Sequence, residues 1–403
     1  MDGSLAIPVA EPATKWRTAL AVGLAFLAYN MAIGMGFGAY GTLVETIQTK
    51  FDTSRALASS GISVLALILG VFAPMVATIT KRIGLRATMM TGAALCALGY
   101  LAITYAGNIY VLLGIFALLI GPGACLLGPI PAAMLASSWA APARRGQALG
   151  IANMPLFVCL FPLITSYVLR HGGFNDVFFL LAGLLVAFVP VLLLVRENHA
   201  VDLVTHGEPT VTAPAAGIFR RPAFIVAAAG SSLITATGMI MVSHLVSIGA
   251  DRGLTLPLAS ALLSVFGIAG AGGTILFGIL ADRTSVRAAF ATVALVAILP
   301  LFVIGTSHAF LPLLLAAGVM GLCTSAVTGL QSAAIATWLG QANFARAMGL
   351  LYVCQVPFLF GAAPLAGFMV DKTGSYTAVL LAVGIALAAT FIMFLFFRPR
   401  AAA

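Results

Sequence analysis

Residues 109–136 read IYVLLGIFALLIGPGACLLGPIPAAMLA, a run with no charged residue and no alternation of polar and apolar positions. At about 1.5 Å of rise per residue, roughly 20 such residues carry an α-helix across a hydrocarbon core of about 30 Å. A barrel strand would be about half as long and would alternate in polarity. In lipid an unpaired backbone N–H or C=O costs several kcal/mol, so a run of this kind resolves into a spanning helix. The rest of the chain is of the same character. It is 62% hydrophobic and 8% charged, with a mean hydropathy of +1.12, far from the composition of a water-soluble domain.

Working outward from 109–136, charges and turn residues divide the sequence into further apolar segments at 17–42, 56–79, 87–106, 147–169, 174–195, 222–248, 257–281, 287–306, 309–337, 346–370 and 375–397. With the first segment, twelve spans are expected, and the fold class is all-α integral membrane. The stretch from Met1 to Lys15 carries Asp2 and Glu11 and has no apolar core, so the first span is expected to be retained rather than cleaved. Cys96, Cys125, Cys159, Cys323 and Cys354 lie singly in different segments, without metal-ligand spacing, and are read as packing residues. No metal and no cofactor is expected.

Alternating the spans puts Lys50, Arg55, Arg170, Arg252 and Lys372 on one side and the remaining fifteen of the 20 Lys and Arg on the other. By the positive-inside rule both termini and the central loop are expected in the cytoplasm, with the chain in the cell inner membrane. The net charge of +9 follows from this distribution and calls for no nucleic-acid partner, since no soluble basic module is present. The longest polar stretch, Arg196 to Arg221, falls near the middle and reads as a linker. It separates a six-span unit at 1–195 from another at 222–403, with 196–221 between them. Internal repetition agrees: Trp139 with Ala148-Leu149-Gly150 returns as Trp338 with Ala347-Met348-Gly349. Repeats with an even number of spans enter the membrane in the same direction. The halves are then related by an axis along the membrane normal, with a solute site between them near the midplane.

The loop Gly278-Ile279-Leu280-Ala281-Asp282-Arg283 resembles the Gly-x-x-x-Asp-Arg signature that follows spans two and eight in the major facilitator superfamily. The resemblance implies two six-helix bundles and a conformational latch of Asp282, Arg283 and Arg287 with Arg82 and Arg86. The first-half copy departs from the signature, with Ala77 and Lys81 where Gly and Asp stand in the family, so any latch is asymmetric. Further stretches are similar to the monocarboxylate porter and oxalate:formate antiporter branch. They are Phe37 to Gly41, Phe51 to Ala56, Trp139 to Gly146 with Gly150, and Gly361 to Pro364 with Gly367 and Asp371 to Tyr376. Carriers of that branch commonly hold a cation in span eight or eleven. Here span eight has none, and span eleven offers Gln355. By the segment limits above, no Asp, Glu, Lys or Arg lies well inside any span.

Candidate solute contacts are therefore neutral. Tyr29 and Asn30 sit near the middle of span one, ahead of Gly34, Gly36, Gly38 and Gly41; a buried amide there either holds a neighbouring helix or faces a wet cavity. Asn153 in span five and Tyr352 in span eleven are equivalent under the repeat, and Gln355 follows a turn later. Ser325, Thr328 and Gln331 recur at spacings of three in span ten, which suits one helical face. His244 is the one conventional acid–base group inside a segment, toward the outer end of span seven. Gly121-Pro122-Gly123 and Gly128-Pro129-Ile130-Pro131 free backbone carbonyls in span four. Each of these could equally serve helix packing. The expected activity is transport of a small organic acid by alternating access, in a monomer embedded in the bilayer. Efflux of hydrophobic compounds is the alternative. No constellation of nucleophile, base or metal ligands supports an enzyme, and no loop is large enough for a receptor domain.

Overall fold

The computed structural model describes residues 15–140, 145–196, 215–340 and 343–397, all helix and connecting turns, with no strand among them. Helices α1 (Lys15–Lys50), α2 (Arg55–Ile83), α3 (Leu85–Ile103) and α4 (Ile109–Trp139) are followed by a two-piece α5 (Arg145–Ala152 and Phe157–His171) and by α6 (Phe174–Leu192). The second half holds α7 (Pro222–Asp251), α8 (Leu256–Arg283), α9 (Val286–Thr306), α10 (Phe310–Leu339), α11 (Phe344–Thr373) and α12 (Thr377–Phe396). Eleven helices are long and apolar enough to cross a membrane, and Phe157–His171 is a shorter apolar helix. Most of the predicted linker lies outside the described residues, although a short helix, Ala215–Phe219, falls within its predicted limits.

Local chemistry sets the ends. Ser54 accepts from Leu57 N at the start of α2, Asn108 from Val111 N at the start of α4, and Ser285 from Ala288 N at the start of α9. Gly374 ends α11 in the left-handed conformation at φ 67° and donates to the Val370 carbonyl, a backbone shape that costs glycine nothing.

Several helices are irregular along their length. In α1 a π-turn covers Asn30–Gly34, and in α4 another covers Phe116–Ile120. α4 also breaks at Gly128, just before the proline run, and α10 breaks at Ala326. The predicted single span 147–169 is corrected to two helices separated by Asn153–Leu156. Pro155, which has no N–H to donate and disfavours the helical region for the residue before it, falls in that gap. Ser325 is half-buried, Thr328 exposed and Gln331 buried. α1 runs on to Lys50 rather than stopping at 42, which places Glu45 inside a spanning helix.

Connections 51–54, 172–173, 252–255 and 374–376 gather at one end of the bundle, here the far end; the described chain begins and ends at the other, the termini end. The two halves meet along α2 and α11, along α5 and α8, and where the far half of α1 meets α7. Gly367 makes the α2–α11 approach possible, because a Cβ there would stand 2.7 Å from the backbone of Ala56. The two helices stay together as far as Gly70 and Val356. Beyond that point both carry large exposed side chains, Val71 and Met75 on α2 and Tyr352 and Val353 on α11. They part toward the termini end.

Candidate functional site

Asn30 is fully buried and spends its amide on the break in α5. Its Nδ2 donates to Phe26 O and Met154 O, both at 2.9 Å, and its Oδ1 accepts from Phe157 N at 2.7 Å. Of the two roles open to it in the sequence, the structure shows the first: it holds the neighbouring helix. The carbonyl and amide exposed by Pro155 would otherwise be orphans in a water-poor region. Tyr29 lies half-buried beside it, and Asn153, at the edge of the break, donates to Leu149 O of its own helix.

In the second half Gln355 Nε2 donates to Gln331 Oε1 at 2.7 Å and lies 3.4 Å from Thr235 Oγ1, so α7, α10 and α11 share one amide cluster. Thr235 was missed in the sequence because a single threonine in an apolar helix carries no signal of its own. The Gln331 Nε2 and the Gln355 Oε1 have no hydrogen-bond partner among the described residues. Thr328 and Thr274 both donate to the Ser325 carbonyl freed by the α10 bend. Tyr352 is exposed next to this cluster along α11.

His244 stands apart. It is nine residues along α7 from Thr235, ~13 Å by helical rise, and is fully buried within the protein. Its Nδ1 lies 2.9 Å from Tyr376 Oη and its Nε2 2.9 Å from the Ala363 carbonyl, which also accepts from Ser59 of the other half at 3.2 Å. Since a carbonyl only accepts, Nε2 carries the proton and Nδ1 accepts from the tyrosine.

That contact belongs to a clamp between the halves at the far end, which the sequence reading did not assemble. Asp371 of α11 accepts from Arg55 N and Ala56 N, both at 3.0 Å, so one carboxylate of the second half caps α2 of the first. With Ser54 serving Leu57 N, the amides of the first turn of α2 are satisfied, and the negative charge sits at the positive end of the helix dipole. Arg55 Nη1 meets Asp251 Oδ2 at 3.3 Å, its Nε reaches Gln48 Oε1 at 3.3 Å, and its guanidinium lies 5.4 Å from the Tyr376 ring centre. These groups rim an open polar cavity of about 490 Å³.

The expected termini-end latch takes another form. Asp282 and Arg283 are exposed and in no ion pair among the described residues, and Arg82 is exposed. Arg86 Nε instead donates to Val195 O at 2.8 Å and Arg287 Nη1 to Phe397 O at 3.0 Å. Each arginine thus ties the start of the third helix of its half to the last carbonyls of the sixth, the same device twice. No group of three or more His, Cys, Asp or Glu among the described residues could hold a metal ion.

The Major Facilitator Superfamily profile matches residues 25–309 and 230–403, two overlapping stretches that together take in nearly the whole chain. The chain belongs to the major facilitator superfamily. It is a multi-pass membrane transporter and not an enzyme. Among curated proteins it is 26% identical to monocarboxylate transporter 11 of Mus musculus over 93% of this chain and 86% of that protein. It is 27% identical to the Homo sapiens protein of the same name, over 94% and 82%. Among solved structures it is similar to a bacterial homologue of the human lysosomal transporter Spinster, crystallised inward-facing and unoccupied. The TM-score is 0.72 at 15% identity, covering 95% of this chain and 94% of that one, a likeness of fold.

Proposed function

We propose that this facilitator carries a small monocarboxylate-like organic acid across the cell inner membrane by alternating access. In this reading the termini end faces the cytoplasm and the functional unit is a monomer. One observation carries it: the halves are clamped at the far end, while below Gly70 and Val356 they part beside an amide cluster with unused donors and acceptors. A carboxylate entering from the termini end would meet Gln331 Nε2, the Tyr352 hydroxyl and the Thr328 region, with Asn153 and Tyr29 facing it from the other half. Neutral donors suit a weak acid that brings its own proton or exchanges for another, because no buried cation has to be neutralised. The names of the relatives at 26–27% identity support the substrate class. As the cycle proceeds the clamp opens, and Asp282 and Arg283 are free to engage at the termini end.

The test is counterflow of radiolabelled lactate or pyruvate in proteoliposomes, with their amides as competitors. Accumulation blocked by carboxylates and not by amides supports the reading; no exchange with any short carboxylate rejects it. A groove of about 510 Å³ between α7, α11 and α12, lined by Ile240, Phe358, Leu365 and Met369, favours a second reading, export of hydrophobic compounds entering from the bilayer. Altered drug susceptibility of a deletion strain, with no carboxylate exchange, would decide for it.

A further inference from the structure

Gln331 of α10 and Gln355 of α11 are only 2% and 3% exposed. Their mutual bond, from Gln355 Nε2 to Gln331 Oε1 at 2.7 Å, uses a donor of one amide and the acceptor of the other, and Gln355 Nε2 also lies 3.4 Å from Thr235 Oγ1. Two primary amides joined in this way leave one N–H donor group and one carbonyl acceptor over. Here they are Gln331 Nε2 and Gln355 Oε1. Neither has a partner among the described residues, and neither is among the fully sealed polar atoms, so both keep a little accessible surface.

At the helix breaks, by contrast, the chain takes up its own loose polar groups. Asn30 serves Met154 O and Phe157 N on either side of the gap in α5, and the Ser325 carbonyl beside the break in α10 accepts from both Thr274 and Thr328. The two glutamines instead bring a free donor and a free acceptor together from different helices and leave both unfilled. Leaving a buried polar group unpaired costs more than an ordinary hydrogen bond contributes. The pair therefore suits a ligand with an acceptor and a donor on neighbouring atoms. A bare carboxylate only accepts: it would engage Gln331 Nε2 and leave Gln355 Oε1 empty.

We propose that the Gln331–Gln355 pair selects 2-hydroxy acids over 2-oxo acids, the carboxylate accepting from Gln331 Nε2 and the 2-hydroxyl donating to Gln355 Oε1. This selectivity rests on the carriage of short monocarboxylates proposed above and narrows it. A hydroxyl on carbon 2 supplies the missing donor. A keto oxygen there is a second acceptor set against the amide carbonyl, and a methylene offers nothing. A site that hydrogen-bonds a hydroxyl rejects the analogue lacking it because a protein group is then left unpaired. For one uncharged, partly accessible carbonyl that amounts to about ten-fold in affinity.

The test is counterflow in proteoliposomes of the full-length protein, with radiolabelled lactate, pyruvate and propionate used as tracers in turn and the unlabelled acids as competitors. Lactate is expected to inhibit at about one-tenth of the concentration that pyruvate or propionate needs, whichever tracer is exchanged. Gln355→Lys still offers Gln331 Oε1 a donor but turns the free acceptor into a further donor. Its charge acts on all three carboxylates alike, so the advantage of lactate over pyruvate should vanish. The ratio in the parent protein decides by itself if that variant does not fold. Inhibition by pyruvate or propionate as strong as that by lactate, or a lactate advantage that survives in folded Gln355→Lys, would overturn the selectivity and leave monocarboxylate transport standing. Exchange of none of the three acids would overturn both.

Discussion

Replacing Asp371 with alanine removes one side chain of the second half and uncaps a helix of the first. Its carboxylate serves Arg55 N and Ala56 N at 3.0 Å each. Asp371 is exposed, so water reaches both amides once it is gone. The loss is then that of an N-cap rather than of a buried orphan, about 1–2 kcal/mol. The cap exists only while the far end is closed, so the whole of that loss falls on one conformation. It shifts the closed-to-open ratio about 5- to 30-fold toward opening at that end. Asp371→Asn keeps an acceptor oxygen but gives up the interaction of charge with helix dipole, about 0.3–1 kcal/mol, and should fall between parent and alanine.

The assay is a distance measurement by pulsed electron resonance between spin labels at Thr49 and Lys372, on opposite halves at the far end, with the five native cysteines replaced. Asp371→Ala should move population from a short distance to a longer one, with Asp371→Asn intermediate and Asp52→Asn unchanged, since Asp52 takes no part in the clamp. An identical distribution in parent and Asp371→Ala would show that the cap does not bias the conformations.

Further outcomes follow from the same contacts. Asn30→Ala leaves Met154 O and Phe157 N unpaired in a buried site, at about 1–3 kcal/mol each, and should lower the thermal midpoint in detergent well below that of Asn153→Ala. A double-mutant cycle on Gln331→Ala and Gln355→Ala, read as the half-saturating carboxylate concentration in counterflow, should show a coupling of about 0.5–3 kcal/mol; strict additivity would mean that the amide pair does not act as a unit. Gly367→Val should force α2 and α11 apart at the far end and lengthen the same spin-label distance without any change of charge. Arg55→Gln should loosen the clamp as Asp371→Ala does, and the Arg55–Asp251 contribution should shrink at high salt, because Asp251 is 43% exposed.

Fold class, two halves and span order were legible because they are imposed by length and polarity, which each segment carries by itself. The breaks were less so. Prolines at 129 and 131 pointed to the bend in α4, yet Pro155 passed inside an apolar run whose hydropathy gave no sign of it, and the consequence was a span split in two. Asn30 could be flagged as expensive at mid-membrane but not assigned, since its partners are 124 and 127 residues away. The end of α1 was misjudged because hydropathy falls off before the helix does. That hid Glu45.

The clamp was illegible for a different reason. Arg55 and Asp371 each look like an ordinary charge at a membrane border, and only a contact across 316 residues gives them meaning. Their position also bears on the lack, among the described residues, of a cation beside the amide cluster. A charge fixed at the solute site would bind a carboxylate in both conformations and add desolvation to each passage, whereas a charge at the gate acts on one conformation alone. Differential interaction with the two states is what moves a transporter between them. Among the described residues the cross-half ionic contacts lie at the far end and neutral amides lie midway, an arrangement that favours turnover over tight binding. Carboxylate affinities should then be weak, and substitutions at Arg55, Asp251 and Asp371 should change rates of exchange more than half-saturating concentrations. The reverse pattern, with affinity collapsing at the clamp and rates preserved, would place the carboxylate itself against Arg55.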